Sequence, residues 1–229
     1  MLPNWFPFHP GRMWCHSRMV YLPMSYIYGC RHTAKLTPLT RALRTELYCT
    51  PYDAINWPAQ RNLVCPRDLY SPHPWVMRIV NKVMGVYEKC PIGWLRRGGT
   101  RFAFEYIEAE DRQTNYVDIG PVNKVLNMLS VFFHRGAESH EFRRHAARID
   151  DYLWLAEDGM RMQGYNGSQL WDTAFAGQAL LESGLAADPE FRPCFTRLHD
   201  FVRETQVKED VPERAKFYRH ISKGAYLRR

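Results

Sequence analysis

Helical periodicity is the feature of this 229-residue sequence that most limits its possible folds. Apolar residues recur every three or four positions in segments that proline or glycine separates. The clearest segment is 75–89, where Val76, Ile79, Val83 and Val86 fall on one helix face. No segment shows a convincing alternation of apolar and polar residues. The sequence therefore predicts helices and no strands.

The predicted elements are six or seven helices of ordinary length joined by loops. They cover residues 38–48, 75–89, 100–112, 122–136, 141–158, 172–185 and 190–207, and an apolar segment over 13–29 is expected to break at Pro23. Helical hairpins without strands are typical of an α-solenoid or an α/α barrel. We therefore predict an all-α fold that forms one domain portion, with no linker.

Charge and cysteine spacing exclude some functions. The net charge of +7 is spread along the chain in short clusters, and no RNA-binding or zinc-finger motif accompanies it. We expect a solvated basic surface with some attraction to anionic lipid headgroups and no nucleic-acid partner. The six cysteines and nine histidines lack zinc-ligand spacing, so no metal is expected. No run of 18 apolar residues is present, so no membrane span is expected.

Two segments carry candidate functional residues. In the first, Trp14, His16 and Ser17 precede an aromatic, apolar helix. The alternative interpretation is a core histidine beside a core tryptophan. In the second, two glycines within residues 162–173 force a loop, and Asp172 or Thr173 can cap the following helix. Side chains at such a loop-to-helix junction often face a ligand, although a capped turn explains the pattern equally.

Five motifs, taken together and in order, resemble one family along most of the chain. They are HPGRMWCHSRMVYLPMSY (9–26), INWPAQRN (55–62), DLYSPHPW (68–75), IGPVNKVLNML (119–129) and DYLWLAEDGMRMQGYNGSQLWDTAFA (151–176). The sequence resembles the central third of the eukaryotic oxidosqualene cyclases, and resembles the bacterial squalene-hopene cyclases less closely. By this resemblance, residues 1–229 are a central portion of such an enzyme, truncated at both ends, with no complete second domain.

The resemblance implies an all-α fold, namely an incomplete α/α barrel that is part of a two-barrel cyclase. It implies an isomerase that needs no cofactor and converts (S)-2,3-oxidosqualene to a tetracyclic sterol precursor through a cascade of carbocations. It also implies a monotopic protein on the cytosolic face of the endoplasmic reticulum membrane or a lipid droplet. Aromatic walls suit such chemistry, because an aromatic face stabilises a desolvated cation by about 2 kcal/mol.

The resemblance also assigns residues. His16 matches a histidine near the late cations that helps to remove the final proton. Ser17 and Tyr21 match the gate between the membrane-facing channel and the cavity, although the family usually has cysteine in place of Ser17. The remaining matches line the substrate cavity: Trp14, Val20, Val122, Tyr165, Asn166 and Trp171.

Two of the implied features concern product and membrane. Tyr165 matches the tyrosine of cycloartenol-type enzymes, where animal and fungal lanosterol-forming enzymes carry threonine, so the match favours a cycloartenol-like product. Periodicity alone favours burial of the aromatic helix beyond Pro23 over an interfacial position. The resemblance reverses that preference and implies a position near the membrane.

The catalytic acid of the family is the aspartate of an Asp-Cys-Thr-Ala-Glu motif, which should follow soon after residues 218–224. The sequence instead ends at Arg229 without that motif. Glu157 and Asp158 belong to a family-typical Ala-Glu-Asp-Gly stretch and are expected to be structural. We therefore expect residues 1–229 alone to be inactive. The rival hypotheses are a non-catalytic lipid- or sterol-binding protein at a membrane surface, an inert relic, and a prenyltransferase-like toroid, whose zinc ligands are not arranged here.

Overall fold

The computed structural model describes residues 4–5, 9–60, 63–72, 74–164, 167–217 and 220–225. The helices are α1 (Cys15–Cys30), α2 (Pro38–Leu47), α3 (Trp57–Gln60), α4 (Trp75–Lys89), α5 (Gly93–Gln113), α6 (Pro121–Arg135), α7 (His140–Ala146), α8 (Gln169–Glu182), α9 (Arg192–Thr205) and α10 (Arg214–Phe217). The strands β1 (Leu153–Ala156) and β2 (Gly159–Met162) form one antiparallel hairpin. The predicted helical fold class is confirmed.

Helix boundaries match the prediction best where proline marks the start. α2 begins at Pro38, and the preceding Thr37 forms a reciprocal capping box with Thr40. α4 begins directly after Pro74, and its predicted span of 75–89 is confirmed. α6, α8 and α9 lie within three residues of their predicted ends.

The predicted start of the helix over 100–112 was wrong by seven residues. α5 begins at Gly93 and passes through Gly98 and Gly99 without a break. Gly99 is buried within the helix. Glycine lowers helix stability by about 1 kcal/mol relative to alanine, which tertiary packing offsets.

The predicted helix over 141–158 was wrong in its second half, and with it the expectation of no strands. α7 ends at Ala146, and β1 and β2 pair so that Ala156 lies opposite Gly159. A two-residue turn joins the strands, and Gly159 has a φ of +124°, which glycine adopts readily. The Glu-Asp-Gly sequence here is a turn signal that the helical interpretation overlooked.

The expected break at Pro23 was also wrong, because α1 is helical from Cys15 to Cys30. Proline cannot donate the backbone hydrogen bond that the carbonyl of residue 19 would otherwise receive. A side chain of α6 supplies a donor to that carbonyl instead, since Asn123 Nδ2 lies 2.8 Å from Met19 O.

The hydrophobic core lies where α1, α5 and α6 pack together, and α7 packs against α6. Its buried residues are Met19, Leu22, Tyr26, Ala103, Phe104, Tyr106, Ile107, Ala109, Val131 and Phe217. α8 and α9 pack mainly against each other. Helix α4 leaves its apolar row exposed, with Val83 at 61% and Val86 at 70%. Among the described residues, no helix is both long and apolar enough to cross a bilayer.

Candidate functional site

The N-terminal end of α1 carries the predicted Trp14–His16 pair. Trp14 is the N-cap residue and has an extended backbone, and the following residues are helical. Its ring meets the His16 ring edge-on, with 4.9 Å between centroids. Both side chains are exposed, so the alternative of a buried core histidine does not describe His16.

The next two turns of α1 carry the other matched residues of this helix. Ser17 and Val20 are half-buried, and Tyr21 is exposed. Ser17 and Tyr21 lie four residues apart and therefore share a face. The buried side chains of Met19 and Leu22 point to the core. One face of α1 therefore packs against the core, and the matched residues lie on the opposite, more exposed face.

Helix α6, which packs against α1, also carries an exposed apolar row. Val122 lies in its first turn and is exposed, as are Val125, Leu129 and Phe132, which follow at three- and four-residue spacing. Exposed apolar rows of this kind suit an apolar ligand or a covering partner. We name the surface formed by Trp14, His16, Ser17, Val20 and Tyr21 of α1 together with Val122 of α6 the α1–α6 face.

Two side-chain hydrogen bonds align α1 with α6. Asn123 Nδ2 donates to Met19 O near the start of both helices. Further along, Tyr26 Oη and His134 Nδ1 lie 2.7 Å apart. Both helices therefore run in the same direction, and the α1–α6 face is fixed by buried contacts behind it.

Trp171 lies on α8, in the helix rather than in the loop before it. Its ring meets Phe175 edge-on at 6.2 Å between centroids. The prediction that Asp172 caps this helix was wrong, because α8 begins at Gln169 and Asp172 therefore lies inside it. Asp172 accepts a hydrogen bond from Ser168 Oγ at 2.7 Å. Helix α8 packs mainly against α9, so Trp171 lies on a different helix pair from the α1–α6 face. The predicted cavity residues Tyr165 and Asn166 lie outside the described residues.

A buried polar cluster lies behind the α1–α6 face, and no sequence motif predicted it. Its members come from α5, the turn after it, α6 and α7: Glu110, Asp111, Asp118, Asn123, Lys124, Asn127 and His145. Asn127 Nδ2 lies within hydrogen-bond distance of Glu110, Asp111 and Asp118. The sequence signal was the density of acids and amides between residues 110 and 127. Their convergence with His145 depends on the packing of α7.

Lys124 provides the positive charge of this cluster. Its ammonium donates to the Tyr116 carbonyl at 2.6 Å and lies 2.8 Å from His145 Nδ1. Asp118 Oδ2 lies 3.8 Å from the same ammonium. Burial lowers the pKa of Lys124 and lowers the pKa of His145 to about 4, so His145 is neutral at pH 7 and its Nδ1 accepts the hydrogen bond from Lys124.

The carboxyl groups of the cluster hold protons tightly. Burial raises the pKa of Asp111 to about 7. Burial, followed by the charge of Asp111, raises the pKa of Asp118 to about 7. Burial and then the charges of Asp118 and Asp111 raise the pKa of Glu110 well above its usual value. The three carboxyl groups therefore favour their protonated forms more strongly than exposed carboxyl groups do.

Asp111, Asp118 and His145 are the described residues whose types and spacing could hold a metal ion, with ligand atoms within 4.8 Å of one another. Their arrangement fits a metal poorly. Asp111 Oδ2 lies 3.2 Å from Nε2 of His145, whereas Asp118 Oδ2 lies 3.6 Å from Nδ1, on the other edge of the ring. Lys124 already occupies the Nδ1 edge. The cluster is therefore a buried ionic network that joins three helices.

The expectation that Asp158 is a structural residue agrees with its position. Asp158 lies in the β1–β2 turn, and its Oδ1 accepts a hydrogen bond from Arg161 Nε at 3.0 Å. Glu157 is the other residue of that turn and is exposed. Both carboxylates lie on a different element from the α1–α6 face.

The fold and the site define a helical protein with an aromatic and apolar face that carries one histidine. Comparison with known proteins identifies the class. The squalene-hopene cyclase N-terminal domain matches residues 1–158. Lanosterol synthase from Mus musculus is 47% identical over 226 residues, which are 99% of this chain and 31% of that protein.

Two further relatives agree with this match. Lanosterol synthase from Homo sapiens is 46% identical and cycloartenol synthase from Dictyostelium discoideum is 49% identical, each over 99% of this chain. The chain spans 31% and 32% of the length of these two proteins. The chain belongs to the family of squalene-hopene and oxidosqualene cyclases, and the resemblance predicted from its motifs is confirmed.

Proposed function

We propose that this chain acts in sterol biosynthesis, as the part of an oxidosqualene cyclase that supplies one wall of the substrate cavity. The observation that carries the proposal is the α1–α6 face, which collects Trp14, His16, Ser17, Val20, Tyr21 and Val122 on two adjoining helices of a chain 46–49% identical to such enzymes. The substrate is 2,3-oxidosqualene, and the product is a tetracyclic sterol precursor.

The chemistry of this face suits carbocations. The Trp14 ring offers a π surface that stabilises a desolvated cation by about 2 kcal/mol. Apolar side chains such as Val20 and Val122 offer no nucleophile that would trap the cation early. The His16 imidazole adjoins the Trp14 ring, and we propose that it accepts the final proton.

The reaction must begin with protonation of the epoxide, and the α1–α6 face contains no carboxyl group to do so. The carboxyl groups of the buried cluster hold protons, but they lie behind α1 and α6 with little or no exposure. We therefore propose that residues 1–229 by themselves bind the substrate without cyclising it. Incubation with 2,3-oxidosqualene should yield no tetracyclic alcohol by mass spectrometry, and any such product would contradict this.

Binding of a squalene-chain tertiary amine, protonated at neutral pH, tests the cation-facing role of Trp14. The ammonium group stands for the carbocation, so Trp14→Ala should raise the Kd about tenfold through loss of the cation–π contact. Trp75→Ala is the matched control, because Trp75 on α4 is 72% exposed and Trp14 is 68% exposed. The control should change the Kd less than twofold. Equal effects of the two variants would indicate nonspecific apolar binding and contradict the proposal.

A second candidate function is non-catalytic binding of a sterol or squalene at a membrane surface. It is favoured by the exposure of the apolar row on α4 and of the α1 residues Met24 and Tyr28, which lie beyond Pro23. A preference for a sterol over the squalene-chain amine, unaffected by Trp14→Ala, would support it over the cyclase proposal.

We further propose that the protein associates with one leaflet of a membrane, on the cytosolic face of the endoplasmic reticulum or on lipid droplets. The apolar row of α4, the exposed aromatic and apolar side chains of α1 and the net charge of +7 support this. Flotation of the purified chain with vesicles tests it, and a chain that stays in the dense fraction would contradict it.

A further inference from the structure

The continuity of α1 through Pro23 depends on one side chain of another helix. In an α-helix the N–H of residue 23 would bond to the carbonyl of residue 19, and proline has no N–H. That carbonyl belongs to Met19, which lies in the core. A buried carbonyl without a donor lowers the stability of the fold, so the position requires an outside donor.

Asn123 is that donor, and its orientation is fixed from both ends. Its Oδ1 accepts a hydrogen bond from the Ile119 backbone N–H at 3.0 Å. The backbone N–H can only donate, so the amide nitrogen must point the other way. That nitrogen donates to the Met19 carbonyl at 2.8 Å, and the carbonyl can only accept.

The buried polar cluster holds Asn123 in place. Its Nδ2 lies 3.4 Å from Glu110 Oε2 and 3.4 Å from Asn127 Oδ1. Asn127 in turn bonds to the acids of α5 and to Asp118 in the turn after it. The side chain is therefore positioned by α5 and α6 together, and it is 2% exposed.

The bond lies between the two parts of the α1–α6 face. His16, Ser17, Val20 and Tyr21 all precede Pro23, in the part of α1 whose direction the Met19 carbonyl contact sets. Val122 is the residue directly before Asn123. We propose that Asn123 is a positioning residue, which replaces the helix hydrogen bond missing at Pro23 and thereby fixes the N-terminal half of α1 against the start of α6. Its role in substrate binding rests on the proposed cavity function.

The proposal makes the effects of residues 23 and 123 interdependent. Asn123→Leu keeps the approximate shape of the side chain and removes the donor. Pro23→Ala supplies a backbone N–H that can bond to Met19 O within the helix. The damage caused by Asn123→Leu should therefore be largely repaired by Pro23→Ala, which a general loss of packing at residue 123 would not predict.

Fluorine NMR of the 229-residue chain labelled with 5-fluorotryptophan reports the position of α1 directly. The Trp14 and Trp171 resonances are assigned with Trp14→Phe and Trp171→Phe. Asn123→Leu should move the Trp14 resonance by more than its line width and leave the Trp171 resonance in place. The double variant Pro23→Ala/Asn123→Leu should return the Trp14 resonance to its position in Pro23→Ala.

An unchanged Trp14 resonance in Asn123→Leu would overturn the proposal. If Asn123→Leu unfolds the chain, both resonances move. The proposal is then tested by comparing Pro23→Ala with the double variant. Different Trp14 resonance positions in those two variants would overturn the proposal.

Binding of the squalene-chain amine separates this proposal from the proposed function. Asn123→Leu should raise its Kd at least fivefold, and Pro23→Ala in addition should restore it. If the amine binds none of the variants while the fluorine result holds, the cavity function fails and the positioning role stands. If the amine binds all of them equally and Trp14 does not move, the positioning role fails and the cavity function stands.

Discussion

At the scale of single residues, the buried cluster determines how stability depends on pH. The pKa of Asp111 rises from 3.8 to about 7 in the folded chain because of burial. The folded state therefore holds a proton that the unfolded chain releases above pH 3.8. This contribution to stability is full below pH 3.8 and is lost as the pH rises to about 7. His145 acts in the opposite sense, since its pKa falls from 6.5 to about 4 and its contribution is lost as the pH drops through that range.

The variant Asp111→Asn removes the Asp111 carboxyl group from the cluster. The ionised Asp111 destabilises the fold at pH 8 relative to pH 5. In the variant, the unfolding free energy at pH 8 relative to that at pH 5 should therefore be about 2 kcal/mol higher than in the unaltered chain. Urea unfolding at the two pH values measures this. Asp158→Asn is the control, because the Arg161 hydrogen bond lowers the pKa of Asp158 and that carboxylate is ionised at both values. A variant with the pH dependence of the unaltered chain would contradict the assigned protonation.

Some of the residues in and behind the α1–α6 face could be predicted from the sequence, and others could not. Trp14 and His16 drew attention because they lie close together in the chain, whereas their cavity roles come from the family resemblance and stay predictions. The cluster behind the α1–α6 face was missed because its members lie up to 35 positions apart, between residues 110 and 145, and acids and amides in a helix usually face solvent. The packing of α7 against α6 brings them together, and no local pattern encodes it.

At the scale of elements, the sequence predicted helices well where local signals and packing agree. α4 matches because Pro74 precedes it and its apolar row is regular. α1 was expected to break at Pro23 because the compensating donor, Asn123, lies 104 residues after the carbonyl of Met19 in the sequence. The β1–β2 hairpin was missed because the apolar segment before Gly159 fits helical and extended backbones equally well.

The exposed row of α4 carries a prediction about membranes. Val83→Asp places a charge in the middle of this row, and it should at least halve the fraction of chain that floats with phosphatidylcholine vesicles containing a minor share of phosphatidylserine. Val64→Asp is the matched control, since Val64 is also exposed and the change in charge is the same. If both variants float equally well or equally poorly, α4 is not the membrane-facing element.

At the scale of the whole molecule, the chain has a larger accessible surface than a compact monomer of the same mass. Its accessible surface is 16705 Å² for 27.0 kDa, whereas a compact monomer of that mass exposes about 11,000 Å². Large apolar side chains are exposed in rows on α2, α4 and the outer faces of α1 and α6. These rows suit burial in a larger α/α barrel or contact with a membrane, which agrees with the proposal that the chain supplies one wall of a cavity.

Photolabelling tests whether the α1–α6 face contacts the substrate, as we propose. The 229-residue chain is irradiated with a diazirine derivative of 2,3-oxidosqualene, and the labelled residues are mapped by mass spectrometry with and without excess 2,3-oxidosqualene. We predict label on residues 14–21 and at Val122, suppressed by the competitor. Label confined to α2 and α4, or label that the competitor does not suppress, would contradict the account.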